Sequence, residues 1–155
     1  MASGDGRGGR DSAAARGDGP DPTASAATVA GPLECPDIPA DAARLVGVRR
    51  TLQDWASAAG LPRSTVADLV LASYEAMANS AEHGYRNRPG TIDLLATCDE
   101  DEVVVTVRDR GEWRSPPADP GHRGRGLILI RSMSRAEVEP GPDGTTVRMR
   151  WARGD

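Results

Sequence analysis

Glu75-Ala-Met-Ala-Asn79-Ser-Ala-Glu-His83-Gly84 closes a stretch that opens at Pro62, and its periodicity decides the first layer of the fold. Val66, Leu69, Val70, Ser73, Ala76, Met77 and Ser80 recur with the period of an α-helix, so they gather on one apolar, small-residue face. Pro62 suits the first turn of that helix, and the period carries it to His83 or Gly84. Asp68, Glu75, Asn79 and Glu82 fall on the other side as an acidic, amide-bearing stripe. Glu75 and Asn79 are four residues apart, which sets the carboxylate beside the amide.

Working outward, Asp41 is an N-cap for an earlier helix. Leu45, Val48, Leu52, Trp55 and Ala59 mark that helix's buried stripe, and Gly60 suits the position just past its end. Beyond Gly84 the period changes to two. Thr91 to Thr97 predicts a strand with Ile92, Leu94 and Ala96 on one face, and the β-branched run Val103 to Val107 predicts another. Asp99-Glu-Asp-Glu102 between them is a polar turn, so the two make an antiparallel hairpin. Arg110 to Gly126, rich in Pro, Gly and Arg, is a long loop of the kind that often serves as a lid. Leu127 to Met133 predicts a short helix. Arg135 to Glu139 and Thr145 to Trp151, joined by Pro-Gly-Pro-Asp-Gly, predict a second hairpin in which Val147, Met149 and Trp151 share a face. Helices first and adjacent strands after them describe an α+β sandwich.

The whole chain has 155 residues, enough for one domain and a tail. Between Ala2 and Thr28 there is no Val, Ile, Leu, Met or aromatic residue, so residues 1–28 are expected to be a disordered tail, 29–152 the folded domain and 153–155 a short tail. Gly4-Asp-Gly-Arg-Gly-Gly9 fits a dinucleotide fingerprint only by letter, since no strand precedes it and no helix pattern follows. The two Arg-Gly-Asp triplets lie in tails built from those residues. All 19 basic residues are Arg. Without Lys there is no Walker A lysine, no Schiff base and no lysine of the eukaryotic kinase type. A net charge of -4 argues against direct nucleic-acid binding. Two Cys and two His exclude a disulfide framework and make a multi-His metal site unpromising. The longest aliphatic run, Leu127 to Ile130, is far too short to span a bilayer, and no secretory signal is evident, so a cytoplasmic location is expected.

Three elements carry chemistry. Glu75 can accept a proton, and the amide of Asn79 is a hard ligand suited to Mg²⁺. Asp109, at the end of the Val-rich strand, can accept a hydrogen bond from an exocyclic amine, with Gly111 letting a flat ring approach the backbone. Gly121-His-Arg-Gly124-Arg-Gly126-Leu127 opens a helix whose N-terminus suits an anion, and Arg123 and Arg125 can contact phosphates. Each element alone is also an ordinary helix face, strand end or loop.

Their conjunction in this order resembles the histidine-kinase-like (GHKL) ATPase superfamily, and within it the anti-sigma-factor serine/threonine-protein kinases of actinobacterial type. Glu75 to Tyr85 resembles the N box, Asp109-Arg-Gly111-Glu-Trp113 the first glycine box, Arg123-Gly-Arg-Gly126-Leu127 with Ile130 the second, and Thr145-Thr-Val147 the closing strand. The resemblance covers roughly residues 33 to 151. It implies a two-layer sandwich whose mixed, mostly antiparallel sheet is covered by helices on one face. It implies ATP and Mg²⁺ as cofactors, with Asn79 as the Mg²⁺ ligand and Glu75 orienting or deprotonating the attacking hydroxyl. Asp109 and Gly111 would hold adenine, and Arg123, Gly124, Arg125, Gly126 and Leu127 would meet the phosphates, the two glycines within the lid. His83 accompanies the N box but also fits a helix-end cation, and Trp113 fits either the base or the core. The implied function is an ATP-binding anti-sigma factor that phosphorylates an anti-sigma-factor antagonist (STAS) protein and otherwise holds a sigma factor, with homodimerisation open. The alternative is a non-catalytic ATP-gated binding module, against which an intact Glu75 speaks.

Overall fold

A computed structural model describes residues 30–112 and 125–154. The chain runs β1 (Leu33–Pro39), α1 (Ala42–Ala58), α2 (Arg63–Asn79), a π-turn (Ser80–Gly84), β2 (Thr91–Cys98), β3 (Glu102–Asp109), α3 (Arg125–Met133), β4 (Arg135–Gly141) and β5 (Gly144–Ala152). Asp41 caps α1 by accepting from the Arg44 N–H at 3.0 Å, and Gly60, at φ 75°, ends it. Pro62 stands at the N-cap of α2, one position before the first turn expected of it, and its carbonyl accepts from the Val66 N–H at 2.9 Å.

The five strands form one sheet in the order β1-β2-β3-β5-β4. The sheet was expected to be mixed and mostly antiparallel; among the described residues all four pairings are antiparallel. Tight hairpins account for β2–β3 and β4–β5. Between β1 and β2 the chain makes two helices rather than one, which returns it to the end it left, so β2 runs back along β1. β1 itself is a strand that the sequence pattern does not announce. It carries Pro36 and Pro39, which a sheet tolerates at an edge, and its register slips between Cys35 and Ile38, where Asp37 takes φ 52°.

One face of the sheet is covered. Ile92, Leu94, Ala96 and Cys98 of β2, Val103, Val105 and Val107 of β3, and Val147, Met149 and Trp151 of β5 alternate inward and are buried. They meet Leu45, Leu52 and Ala56 of α1 and the whole expected face of α2, Val66 to Ser80, with Ala72 added. Filling one such position with a buried Leu stabilises the fold by about 2 kcal/mol. The two described tryptophans also anchor chain ends. The Trp55 indole donates to the Gly31 carbonyl at 2.8 Å and that of Trp151 to the Met133 carbonyl at 2.7 Å. Arg153, expected in the tail, donates to the carbonyls of Asp99 at 2.8 Å and Ala59 at 3.0 Å, tying the β2–β3 turn to the end of α1.

Candidate functional site

Asp109 ends β3 in the inward register of Val103, Val105 and Val107, so its side chain points between sheet and helices and is 4% exposed. A carboxylate there must be hydrogen-bonded. Its Oδ1 accepts from the Gly111 N–H at 3.0 Å and the Thr145 N–H at 3.3 Å, and its Oδ2 accepts from the Ser80 hydroxyl at 2.7 Å. Gly111 presses against the π-turn: a Cβ there would lie 2.4 Å from the Gly84 carbonyl oxygen, so any side chain would push the two segments apart. Gly84 faces the carboxylate, its notional Cβ 3.3 Å from Asp109 Oδ1.

The π-turn explains how Ser80 reaches Asp109. Asn79 is the last α-helical residue, and the helix then widens so that the Tyr85 N–H bonds the Ser80 carbonyl at 3.0 Å. Widened turns of this kind recur at functional sites. This one buries Ser80 against Asp109 and leaves Asn79 half-buried beside α3. Glu75, half-buried, sits one turn earlier on α2. Asp68 and Glu82, which share the expected stripe, are exposed. His83 is exposed too, 3.9 Å from Glu82.

α3 begins at Arg125, two residues before the expected start. Arg125 and Gly126 therefore lie in the first turn of a helix and not in a lid loop. The reason is steric. A Cβ on Gly126 would lie 2.7 Å from both Nδ2 and Oδ1 of Asn79, so the missing side chain is what lets α3 close on α2. Arg125 is exposed, whereas Leu127 is half-buried against the core. With its side chain turned to the core, Leu127 has only backbone groups to offer outward. Arg123, Gly124, Gly121, His122 and Trp113 lie outside the described residues.

An open hollow of about 220 Å³ adjoins Gly84 and Gly111 and is rimmed by Arg86, Arg88 and Arg110. Arg110 pairs with Asp93 at 2.7 Å, and Arg86 with Glu112 at 3.8 Å. The Tyr85 hydroxyl donates to the Thr91 carbonyl and accepts from the Arg110 N–H, bridging the ends of β2 and β3 just where the ladder stops. Asn79 offers one hard oxygen, and no group of three His, Cys, Asp or Glu side chains gathers among the described residues. Such a donor set fits a Mg²⁺ ion held chiefly by phosphate and water, and not one held in a protein cage.

The structure thus brings Asn79, Asp109, Gly111 and Gly126 together around one end of α2, with Glu75 a turn away. Sequence reasoning missed Ser80, counted only as a small residue on the buried face, and the roles of Gly84 and the Thr145 N–H. A hydroxyl directly after Asn79, among alanines, was the available signal.

The model of the histidine kinase-like ATPase domain family matches residues 38–151, so fold and site define a histidine-kinase-like ATPase domain. The RsbW serine-protein kinases of Staphylococcus aureus strains MSSA476 and MW2 are each 30% identical over 129 residues, covering 72% of this chain and 81% of theirs. The chain belongs to the anti-sigma-factor serine/threonine-protein kinase family, built on that ATPase domain. A crystal structure of the RsbU and RsbW domains of Rv1364c from Mycobacterium tuberculosis superposes with TM-score 0.62 at 28% identity, over 77% of this chain, which spans about a third (32%) of that one. The histidine kinase domain of an Erythrobacter litoralis blue-light activated kinase shares the fold, with TM-score 0.51 at 20% identity over 70% of this chain and 58% of that one. No helix among the described residues is long and apolar enough to cross a membrane.

Proposed function

We propose that the chain binds ATP between α2, β3 and α3 and transfers its γ-phosphoryl group to a serine or threonine of an anti-sigma-factor antagonist (STAS) protein, and that it binds a sigma factor when not so engaged. It acts in the cytoplasm, and a homodimer is compatible with this role. The observation that carries the reading is Asp109. Among the described residues three donors occupy three of the four acceptor positions of its carboxylate, which leaves one on Oδ2 for the exocyclic amine of adenine.

Gly111, whose missing side chain makes room for the Gly84 backbone, holds the end of β3 against the π-turn beside the ring. Asn79 would hold Mg²⁺ through its amide oxygen, and the ion would neutralise charge on the β- and γ-phosphates. The N-terminal turn of α3, with Arg125 and the N–H groups of Gly126 and Leu127, directs positive potential at the same phosphates. Glu75 accepts the proton of the attacking hydroxyl as the new oxygen–phosphorus bond forms and the bond from γ-phosphorus to the ADP oxygen breaks. Positioning and charge account for most of such a reaction.

The test is a transfer assay with labelled ATP, Mg²⁺ and STAS proteins of the same organism, alongside calorimetric ATP binding. Glu75→Ala should lose transfer and keep nucleotide affinity. Asp109→Ala should lose ATP binding. Transfer to no acceptor by a wild type that binds ATP would point instead to the non-catalytic ATP-gated module, and undiminished ATP binding by Asp109→Ala would refute the adenine site.

A further inference from the structure

Among the described residues, Ser80 is the one side chain that donates to Asp109; the other two donors are backbone N–H groups. Ser80 is 5% exposed, and the π-turn that begins at it holds its hydroxyl 2.7 Å from Oδ2. A hydroxyl both donates and accepts, but an ionised carboxylate only accepts, so the proton of Ser80 must point at Asp109. With Oδ1 filled by Gly111 and Thr145, this bond prevents the carboxylate from turning about its Cβ–Cγ axis and leaves a single acceptor position of fixed direction.

We infer that Ser80 is a specificity-determining positioning residue: it locks Asp109 as a single-acceptor reader of a 6-amino group, and so sets the preference for adenine nucleotides over 6-oxopurine nucleotides. The inference rests on the nucleotide reading above. Opposite a 6-oxo group, the locked carboxylate places acceptor against acceptor, a contact that neither partner can repair. Take away the Ser80 hydroxyl and the space it vacates admits a water. Water can donate to the carboxylate and to a 6-oxo oxygen at once, which relieves the conflict. The carboxylate also gains freedom to turn away from the amine.

The experiment compares ATP with inosine triphosphate, which differs at the 6-position by an oxo for an amino group. Calorimetric affinities for both are measured for the wild type, Ser80→Ala and Ser80→Thr, with thermal midpoints recorded for each. Ser80→Ala should lower the ATP-to-inosine-triphosphate affinity ratio about tenfold, the scale of one hydrogen bond to a charged group. Ser80→Thr, which keeps the donor, should hold the wild-type ratio. A merely structural role would shift the midpoint or weaken both ligands in parallel, and a ratio within about twofold of wild type in Ser80→Ala overturns the inference. Should the alanine variant not fold, Ser80→Cys, a weaker donor of similar size, must give an intermediate ratio, and a wild-type ratio there overturns the inference equally. If the wild type binds neither nucleotide, the ATP reading itself fails, an outcome distinct from binding with an unchanged ratio.

Discussion

Gly126→Ala would separate the architecture of the site from its chemistry. The added methyl would lie 2.7 Å from both terminal atoms of the Asn79 amide, where ordinary contact begins at 3.4 Å. The amide must therefore retreat by the difference, about 0.7 Å, since it is the movable end of a side chain while α3 is held by buried Ile130. Such a shift leaves the fold intact, and alanine is a better helix former than glycine by roughly 0.8–1 kcal/mol, which offsets part of the crowding. Chemistry is less forgiving: misplacing a reacting group by about 1 Å costs on the order of a hundredfold, so a loss of at least about tenfold in phosphoryl transfer is expected. Labelled-ATP transfer gives the rate, and calorimetry with and without Mg²⁺ gives the binding. The expected result is a nearly unchanged thermal midpoint, a metal-dependent loss of ATP affinity, and a loss of transfer that does not add to that of Asn79→Ala. A variant that transfers phosphate at the wild-type rate would refute the placement of Asn79 as the metal-holding group.

Ser73 is fully buried and its hydroxyl has no partner among the described residues, so Ser73→Ala should stabilise the protein by about 1 kcal/mol, read as a higher urea midpoint at unchanged slope. Tyr85→Phe strips the Thr91 carbonyl and the Arg110 N–H of their shared partner and should cost about 1–3 kcal/mol, with hydrogen exchange rising first at Arg110. Asp99 is held below its ordinary carboxylate range by hydrogen bonds from the N–H groups of Glu102 and Asp101. Its contribution is therefore present above about pH 4 and is lost as pH falls through the lowered value. Stability curves of wild type and Asp99→Asn should diverge above that pH and converge in stronger acid, and parallel curves would contradict it.

Both long helices were legible because their apolar residues keep a period of about 3.6 over many residues, and both hairpins because β5 alternates, β3 is a β-branched run and polar turns separate the strands. Asp109 was legible as well, standing at the end of a Val-rich strand before a glycine. β1 was not, because two prolines and a register slip interrupt its alternation, and only its place at the rim of the sheet makes it a strand. The start of α3 was misplaced for a related reason. Gly126 lowers local helix propensity, and what favours the helix there is a contact with Asn79 that is 47 positions away in the sequence. Ser80 escaped notice because its partner is chosen by a widening of the helix that no neighbouring residue announces.

The margins of the sheet set one more condition on the molecule. One outer strand holds Pro36 and Pro39 about a kinked Asp37, and the opposite one carries Arg135, Glu137, Glu139 and Pro140. Prolines withhold donors and bristling charges resist a neighbour, so neither border offers a clean template on which a foreign strand could zip itself. Visitors are thereby steered away from the borders of the sheet, and the chain is shielded from growing into a ribbon of its own copies.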